Sequence, residues 1–297
     1  MAKKQDKILG LFILGAFVIF IGILLLVFFS VGSMSGMEID GVGDKVAVVE
    51  LNGIIASSRE VVAQFKRYEK DKSIKAIVFR INSPGGGVAA SQEIYEQVRR
   101  VRDSGKPVVA SMGSVAASGG YYVALGADSI MANPATTTGS IGVLAEFPNY
   151  SKLMEKIGIQ VTTIKSGQYK DTGNPYRDIT PADREYLQAW IDDGYDQFIT
   201  AVADERGLLK EEVRRLADGR VYSGRQAYEL SLIDSLGTFE DAIQLAADVA
   251  GIDGEPRLVR QPRKKTTMFE LLFEFDLKEF IETYFSAWPR IQYLMSF

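Results

Sequence analysis

The chain has 297 residues and carries 34 Lys and Arg against 38 Asp and Glu, a net charge of −4, which argues against the basic stripe of a nucleic-acid-binding protein. It contains no cysteine and no histidine. Disulfides, thiol nucleophiles, zinc fingers, haem held through His or Cys, and Ser-His-Asp or Cys-His catalysis are therefore excluded, and a general base must be Lys, Asp, Glu or Tyr.

The first element is apolar. From Ile8 to Val31 there are 24 residues without a charge, and at about 1.5 Å per residue this run is long enough to cross a hydrocarbon core of about 30 Å. Lys3, Lys4 and Lys7 precede it and the next basic residue is Lys45. The positive-inside bias then predicts a cytoplasmic N-terminus and a single-pass anchor in the cell membrane, with the rest of the chain extracytoplasmic, periplasmic in a two-membrane bacterium. A cleaved signal peptide is the competing reading, but the run exceeds the usual apolar region of about 7 to 15 residues, and VGSMSG is only a loose cleavage site. Residues 1–31 are thus read as tail and transmembrane helix, and residues 32–44, rich in Gly and Ser, as a linker.

The body, residues 45–267, alternates strand-like and helix-like segments. KVAVVELNGII reads as a strand, SSREVVAQFKRYEKD as a helix, KAIVFRINS as a β-branched strand ending at PGGG, SQEIYEQVRRVRDSG as a helix and KPVVASMGS as a strand. ASGGYYVALGADSIMANP reads as helix then strand, TTTGSIGV as a polar turn running into a strand, SKLMEKIG as a helix and IQVTTIKSG as another strand. Thr180, Pro181 and Asp183 mark a helix start, and Leu187, Trp190, Ile191, Tyr195, Phe198 and Val202 continue it at helical spacing. LLKEEVRRLADG and SGRQAYELSLID give two more short helices. The alternation predicts an α/β layered fold with substantial parallel pairing.

Residues 268–297 form an aromatic-rich C-terminal segment with nine aromatics in 30 residues. It reads as a helix packed on protein, or as an amphipathic segment lying on a membrane surface; its acidic residues favour protein contact over anionic lipid.

Without histidine, a serine on a strained turn near a desolvated lysine is the arrangement to look for. Ser118 lies in GSVAASGGYY, just after an apolar strand, where Ala116, Ala117, Gly119 and Gly120 let a substrate backbone approach and a helix start offers N–H groups to a developing anion. NSPGGG at 82–87 ends a strand, the usual place for ligands in open α/β sheets. Its glycines can supply an oxyanion hole, or serve only to turn the chain. Neither phosphate-binding glycine pattern is present there.

GSVAASGGYY, preceded by INSPGGG and followed by TTTGSIGV and DGRVYSGRQAYELSLID, resembles the signal peptide peptidase A family of membrane-bound serine peptidases, in its short single-domain form, over about Val46 to Val249. The resemblance implies a ClpP/crotonase-type fold and a Ser/Lys dyad. Carried over by position, it makes Ser118 the nucleophile and Lys170, in IKSGQYKDTGNPYR, the general base, its pKa lowered by burial. Lys165 is the competing lysine; it falls in the strand-like alternation, whereas Lys170 follows in a loop. Ser140 matches the hydroxyl that supports the lysine, and the N–H of Gly119 with that of Gly85 or Gly86 would form the oxyanion hole. Arg80, Asn82 and Tyr121 receive no catalytic role.

The resemblance further implies signal peptides and other extended apolar peptides as substrates, no cofactor or metal, and a homo-oligomer, an octamer, that encloses the sites. The sequence also admits a broader membrane-anchored quality-control protease of the same fold, an acyl-CoA enzyme of crotonase type, and a catalytically silent scaffold.

Overall fold

A computed structural model describes residues 44–261 and 292–294. The anchor at 8–31, all of the linker at 32–44 except Asp44, and most of the aromatic C-terminal segment lie outside the described residues. Among the described residues no helix is long and apolar enough to cross a membrane.

Val46, Ala47, Val48 and Val49 are buried in succession, a pattern that suits a strand covered on both faces. They lie in β1 (Lys45–Asn52), which pairs in parallel with β2 (Ile74–Ser83) on one side and with β9 (Arg257–Arg260) on the other. On its other edge β2 pairs in parallel with β4 (Val108–Ala117). The far edge of β4 is shared: its first half pairs with β5 (Ser129–Ala132), which continues to β8 (Ser235–Leu236), and its last residues pair with β6 (Thr137–Gly139). All of these pairs are parallel. Only β7 (Val221–Ser223) adds to β6 in the antiparallel sense, closing an eight-stranded sheet.

Helices cover both faces. On one, α1 (Arg59–Lys70), α2 (Val88–Asp103), α3 (Gly119–Ala124) and α5 (Pro181–Arg206) bury Phe65, Ile94, Tyr122, Phe198 and Val202 against Val49, Phe79 and Met112. Phe65 meets Phe79 edge-on at 5.1 Å, and Tyr95, Tyr122 and Phe198 form a run of edge-on rings. On the other face α8 (Phe239–Val249) lays Ala242, Ile243, Ala246 and Ala247 on Val46, Val78 and Val109. The short helices α4 (Ser151–Lys156), α6 (Lys210–Leu216) and α7 (Gly224–Glu229) complete the described chain. The α/β alternation is as the sequence predicts.

Two strands are not. IQVTTIKSG has no regular secondary structure. Ile159 and Val161 alternate with polar residues, but they and Ile164 are exposed, Ile164 to 96%, and without a neighbouring edge among the described residues to receive its N–H and C=O groups a short period-two pattern does not make a strand. In TTTGSIGV the strand precedes the serine instead of following it. Ser140 adopts φ +49° and donates its N–H to Arg220 O at 2.8 Å, so the backbone turns out of the sheet at that residue.

A separate two-stranded pair involves β3 (Gly85–Gly87) and β10 (Gln292–Leu294), which run antiparallel with Tyr293 opposite Gly86.

Candidate active site

The site is assembled where β2, β4 and β6 end side by side. β4 carries more residues than β2 at this point: Ile81 faces Met112, yet Ser83 faces Ala116. Asn82 fills the resulting bulge, accepting the N–H of Val115 on Oδ1 at 3.2 Å. Thr136 and Thr138 donate their hydroxyls to Gly113 O and Ala116 O, both at 2.7 Å, and fasten the chain around β6 to β4. These bonds aim the last residues of β4 past the sheet edge, where Ser118 follows.

Ser118 is held in a conformation that L-residues avoid, φ +52° and ψ −117°, a strained strand-to-helix turn of the kind that presents a nucleophile. Its N–H donates to Gly139 O at 2.7 Å, and its carbonyl accepts from Tyr122 N at 2.9 Å. The residue is 1% exposed, and Oγ is buried without a hydrogen-bond partner among the described residues. A buried hydroxyl with no partner is destabilising by about 1–3 kcal/mol; strain and an orphaned polar atom at one residue together point to function rather than packing. Gly120 must be glycine because a Cβ there would stand 2.6 Å from Ser83 O. That close approach brings Ser118 and Gly119 beside the Ser83–Gly85 corner, where Ser83 Oγ accepts the N–H of Gly85 at 3.1 Å.

The orientation of the glycine strand follows from its bonds. Ile55 N–H donates to Gly85 O at 2.8 Å, and Gly87 N–H donates to Ile55 O at 2.9 Å. With those groups turned toward Ile55, alternation along the strand turns the N–H and C=O of Gly86 to the opposite edge, where Tyr293 is paired. Of the two glycines proposed from sequence, Gly86 thus turns its N–H away from Ile55, toward the edge where β10 pairs, while Gly85 spends its own on Ser83.

Ser140 lies one residue beyond Gly139, whose carbonyl holds Ser118, so both serines are fixed by one turn. A cleft of about 400 Å3 opens beside Ser140, lined by Val143, Leu144, Ile191 and Tyr195 together with Asp192 and Asp218. The Arg220 hydrogen bond holds the Asp218 carboxyl down at about 2, so it is ionised at neutral pH.

Lys170 is not brought to Ser118 within this chain. It is exposed, its N–H donates to Gly167 O at 3.2 Å, and the unpartnered state of Ser118 Oγ shows that the amine does not reach it. Lys170 is thus left uncovered within one chain. Lys165 is engaged elsewhere, its amine donating to Asp171 Oδ1 at 2.5 Å and to Gln168 O at 2.9 Å. Arg80 donates to Ser111 Oγ and Met112 O, and the Tyr121 hydroxyl donates to Leu232 O.

Ser83, Gly139 and Arg220 are the residues that sequence reasoning missed. All three sit inside motifs already singled out, but what they contribute is a bond or a close approach between distant segments, which no local pattern reveals. Among the described residues no group of His, Cys, Asp and Glu is placed to hold a metal.

A serine orphaned among the described residues, on a strained turn beside a glycine strand in a chain without histidine, is the machinery of a serine peptidase. The chain belongs to peptidase family S49, whose model matches residues 100–253. It is 47% identical over 210 residues to a Synechocystis protein provisionally named a protease, covering 70% of this chain and 76% of that one. An Enterococcus faecium protein provisionally named signal peptide peptidase SppA is 37% identical over 212 residues, 67% of this chain and 62% of the relative. A Methanocaldococcus jannaschii protein, likewise provisionally named a protease, is 37% identical over 259 residues, 82% of this chain and 83% of that protein.

Proposed function

We propose that this chain is a membrane-anchored endopeptidase of ClpP/crotonase-like fold that cleaves remnant signal peptides and other extended, largely apolar peptides through Ser118 and Lys170. The observation that carries the reading is the buried Ser118 Oγ, without a partner among the described residues, on its strained turn. Lys170 in neutral form takes the Oγ proton as Oγ bonds to the scissile carbonyl carbon. The C–N bond then breaks, the leaving amine takes the proton from Lys170, and water hydrolyses the acyl-enzyme by the same exchange in reverse. Gly119 N–H and Gly86 N–H stabilise the tetrahedral oxyanion, and Ser140 supports the lysine. The antiparallel pairing of Gln292–Leu294 on Gly85–Gly87 supports the substrate class, since an edge that pairs with one extended segment is built to receive an extended peptide.

A neutral lysine needs cover from water, and Lys170 has none in one chain. Ile157, Ile159, Val161 and Ile164 are exposed in the segment leading to it, an apolar surface suited to contact with further copies. A homo-oligomer that covers this segment is therefore part of the proposal. So are anchoring through residues 8–31, a cytoplasmic N-terminus and an extracytoplasmic catalytic domain, which rest on the length of the apolar run and the three lysines before it.

The test is hydrolysis of an apolar signal-peptide substrate by the full-length protein in detergent, compared with Ser118→Ala, Lys170→Ala and Lys165→Ala. Turnover is expected to vanish in the first two and to persist in the third. Activity retained in Ser118→Ala removes the nucleophile, and activity retained in Lys170→Ala removes the base.

A further inference from the structure

Residues 157–180, between α4 and α5, contain no helix or strand, yet the residues on either side of Lys170 are tied down. Before it, Tyr169 stacks on Tyr186 of α5, ring centroids 5.0 Å apart and planes 22° from parallel. After it, Asp171 and Thr172 are bound to a single guanidinium and its partner carboxylate. Arg177 Nε donates to Asp171 Oδ2 and Nη2 to Oδ1, each at 2.9 Å, and Nη2 also donates to the Asp171 carbonyl at 3.1 Å. The same side chain reaches Asp183 in the first turn of α5, Nη1 to Oδ2 at 2.5 Å and Nη2 to Oδ1 at 3.2 Å. The Thr172 hydroxyl donates to Asp183 Oδ1 at 2.8 Å.

Asp183 is a firm anchor. It is 3% exposed and closes a capping box with Thr180, accepting the Thr180 N–H at 3.0 Å and donating its own N–H to Thr180 Oγ1 at 3.1 Å. The helix it caps is 26 residues long and enters the core at Phe198 and Val202. Lys170 thus has a side chain without a partner among the described residues, while its two neighbours are both referenced to the start of a rigid element.

We propose that Arg177 is a positioning residue for Lys170: by clamping Asp171 to Asp183 it fixes where the amine is presented and keeps the adjacent carboxylate from pairing with it. The inference rests on the reading of Lys170 as general base. The charges facing Asp171 are Lys165 on its own segment and Arg177, with Asp183 from α5 beyond. Two cations against two carboxylates leave the cluster neutral. An Asp171 released from Arg177 would favour the ammonium form of a neighbouring lysine, and a shift of its loop by about 1 Å is enough to cost roughly 100-fold in rate. Hydrogen bonds from Arg177, then from Lys165, already hold the Asp171 carboxyl well below the usual carboxylate range, consistent with a fully engaged group. Arginine is required because lysine has no planar fork to grip one carboxylate while reaching a second.

The experiment compares Arg177→Ala, Arg177→Lys and Tyr186→Ala with Lys170→Ala in the full-length protein, reading kcat, KM, the pH dependence of kcat/KM and thermal unfolding. Arg177→Ala is expected to lower kcat by about 10- to 100-fold with KM changed less than about 3-fold. The acid limb of its kcat/KM profile should move to higher pH, and added guanidinium ion should restore part of the rate. Arg177→Lys should recover only a small share, and Tyr186→Ala should lower kcat less than Arg177→Ala. Wild-type kcat and an unmoved acid limb in Arg177→Ala, with Lys170→Ala inactive, overturn the inference and leave the base assignment standing. An active Lys170→Ala overturns the base assignment itself, and this inference with it. Where Arg177→Ala fails to fold, Arg177→Lys decides on the same two readouts.

Discussion

Gly86 and Gly87 are neighbours in one short strand, yet alanine should be rejected at the first and accepted at the second. A Cβ on Gly86 would stand 2.6 Å from Ile55 N and 2.8 Å from Ile55 C, and would press on the Ile55 carbonyl oxygen as well. All three are backbone atoms that cannot rotate aside. Restoring ordinary contact requires β3 to move away from Ile55 by roughly 0.8 Å, which weakens the bonds Ile55 N–H to Gly85 O and Gly87 N–H to Ile55 O. At about 1 kcal/mol for each hydrogen bond, within the roughly 1–3 kcal/mol typical of overpacking, Gly86→Ala should cost about 2–3 kcal/mol. For a domain of this size that is a fall in Tm of about 6 °C. The same displacement shifts the Gly86 N–H proposed for the oxyanion hole out of its position, so kcat/KM should drop about 100-fold. On Gly87 a Cβ meets Ile55 O at 3.6 Å and Ala90 Cβ at 3.9 Å, and φ is −60°, so Gly87→Ala should stay within about 0.5 kcal/mol of the parent. Thermal unfolding and peptide hydrolysis of the two variants side by side provide the assay. Equal damage from both substitutions, or an unmoved Tm in Gly86→Ala, would refute the claim that β3 is clamped against Ile55.

Further outcomes are expected elsewhere. Thr180→Ala removes the hydroxyl that accepts the Asp183 N–H at 3.1 Å, and should lower stability by about 1 kcal/mol in denaturant titration. Glu205→Ala strips partners from the Tyr95 hydroxyl at 2.6 Å and Arg102 Nη1 at 2.7 Å. Because the pair is largely buried, the loss should be about 2–4 kcal/mol, several times that of an exposed ion pair; a change below about 0.5 kcal/mol would contradict the burial argument. Asp183 is held well below its ordinary carboxylate value of 3.8, chiefly by its hydrogen bond from Arg177. A depressed folded-state value contributes stability that is present above about pH 4 and lost as pH falls below it, so Asp183→Asn should be less stable at neutral pH and show a flatter stability profile on acidification, measured by thermal unfolding across pH 2 to 7.

Much of the molecule is legible in the chain itself. The absence of histidine and cysteine reduces the possible bases to four residue types on composition alone. The β-branched runs at 45–52, 74–83 and 108–117 are strands because a covered sheet needs continuous apolar sequence, and Thr180-Pro181-Ala182-Asp183 starts a helix because its capping groups act over three residues. Small residues around position 118 mark a point of close backbone approach because such approach demands them locally. Period-two sequence misleads at IQVTTIKSG, where a short alternation exists but no strand edge among the described residues receives it.

What only the tertiary structure decides depends on segments far apart in sequence. Ile55 determines that Gly86, not Gly85, turns its N–H to the edge where β10 pairs. Gly139 and Arg220 set the turn at Ser118 and Ser140 through two carbonyls, and neither contribution has a sequence signature because any residue has a carbonyl. The exposure of Lys170, and its tethering through Tyr186, Arg177 and Asp183, likewise follow from how an irregular segment rests on a helix. Sequence determines local geometry and the chemistry of each side chain; which groups face one another is fixed by how the strands and helices pack.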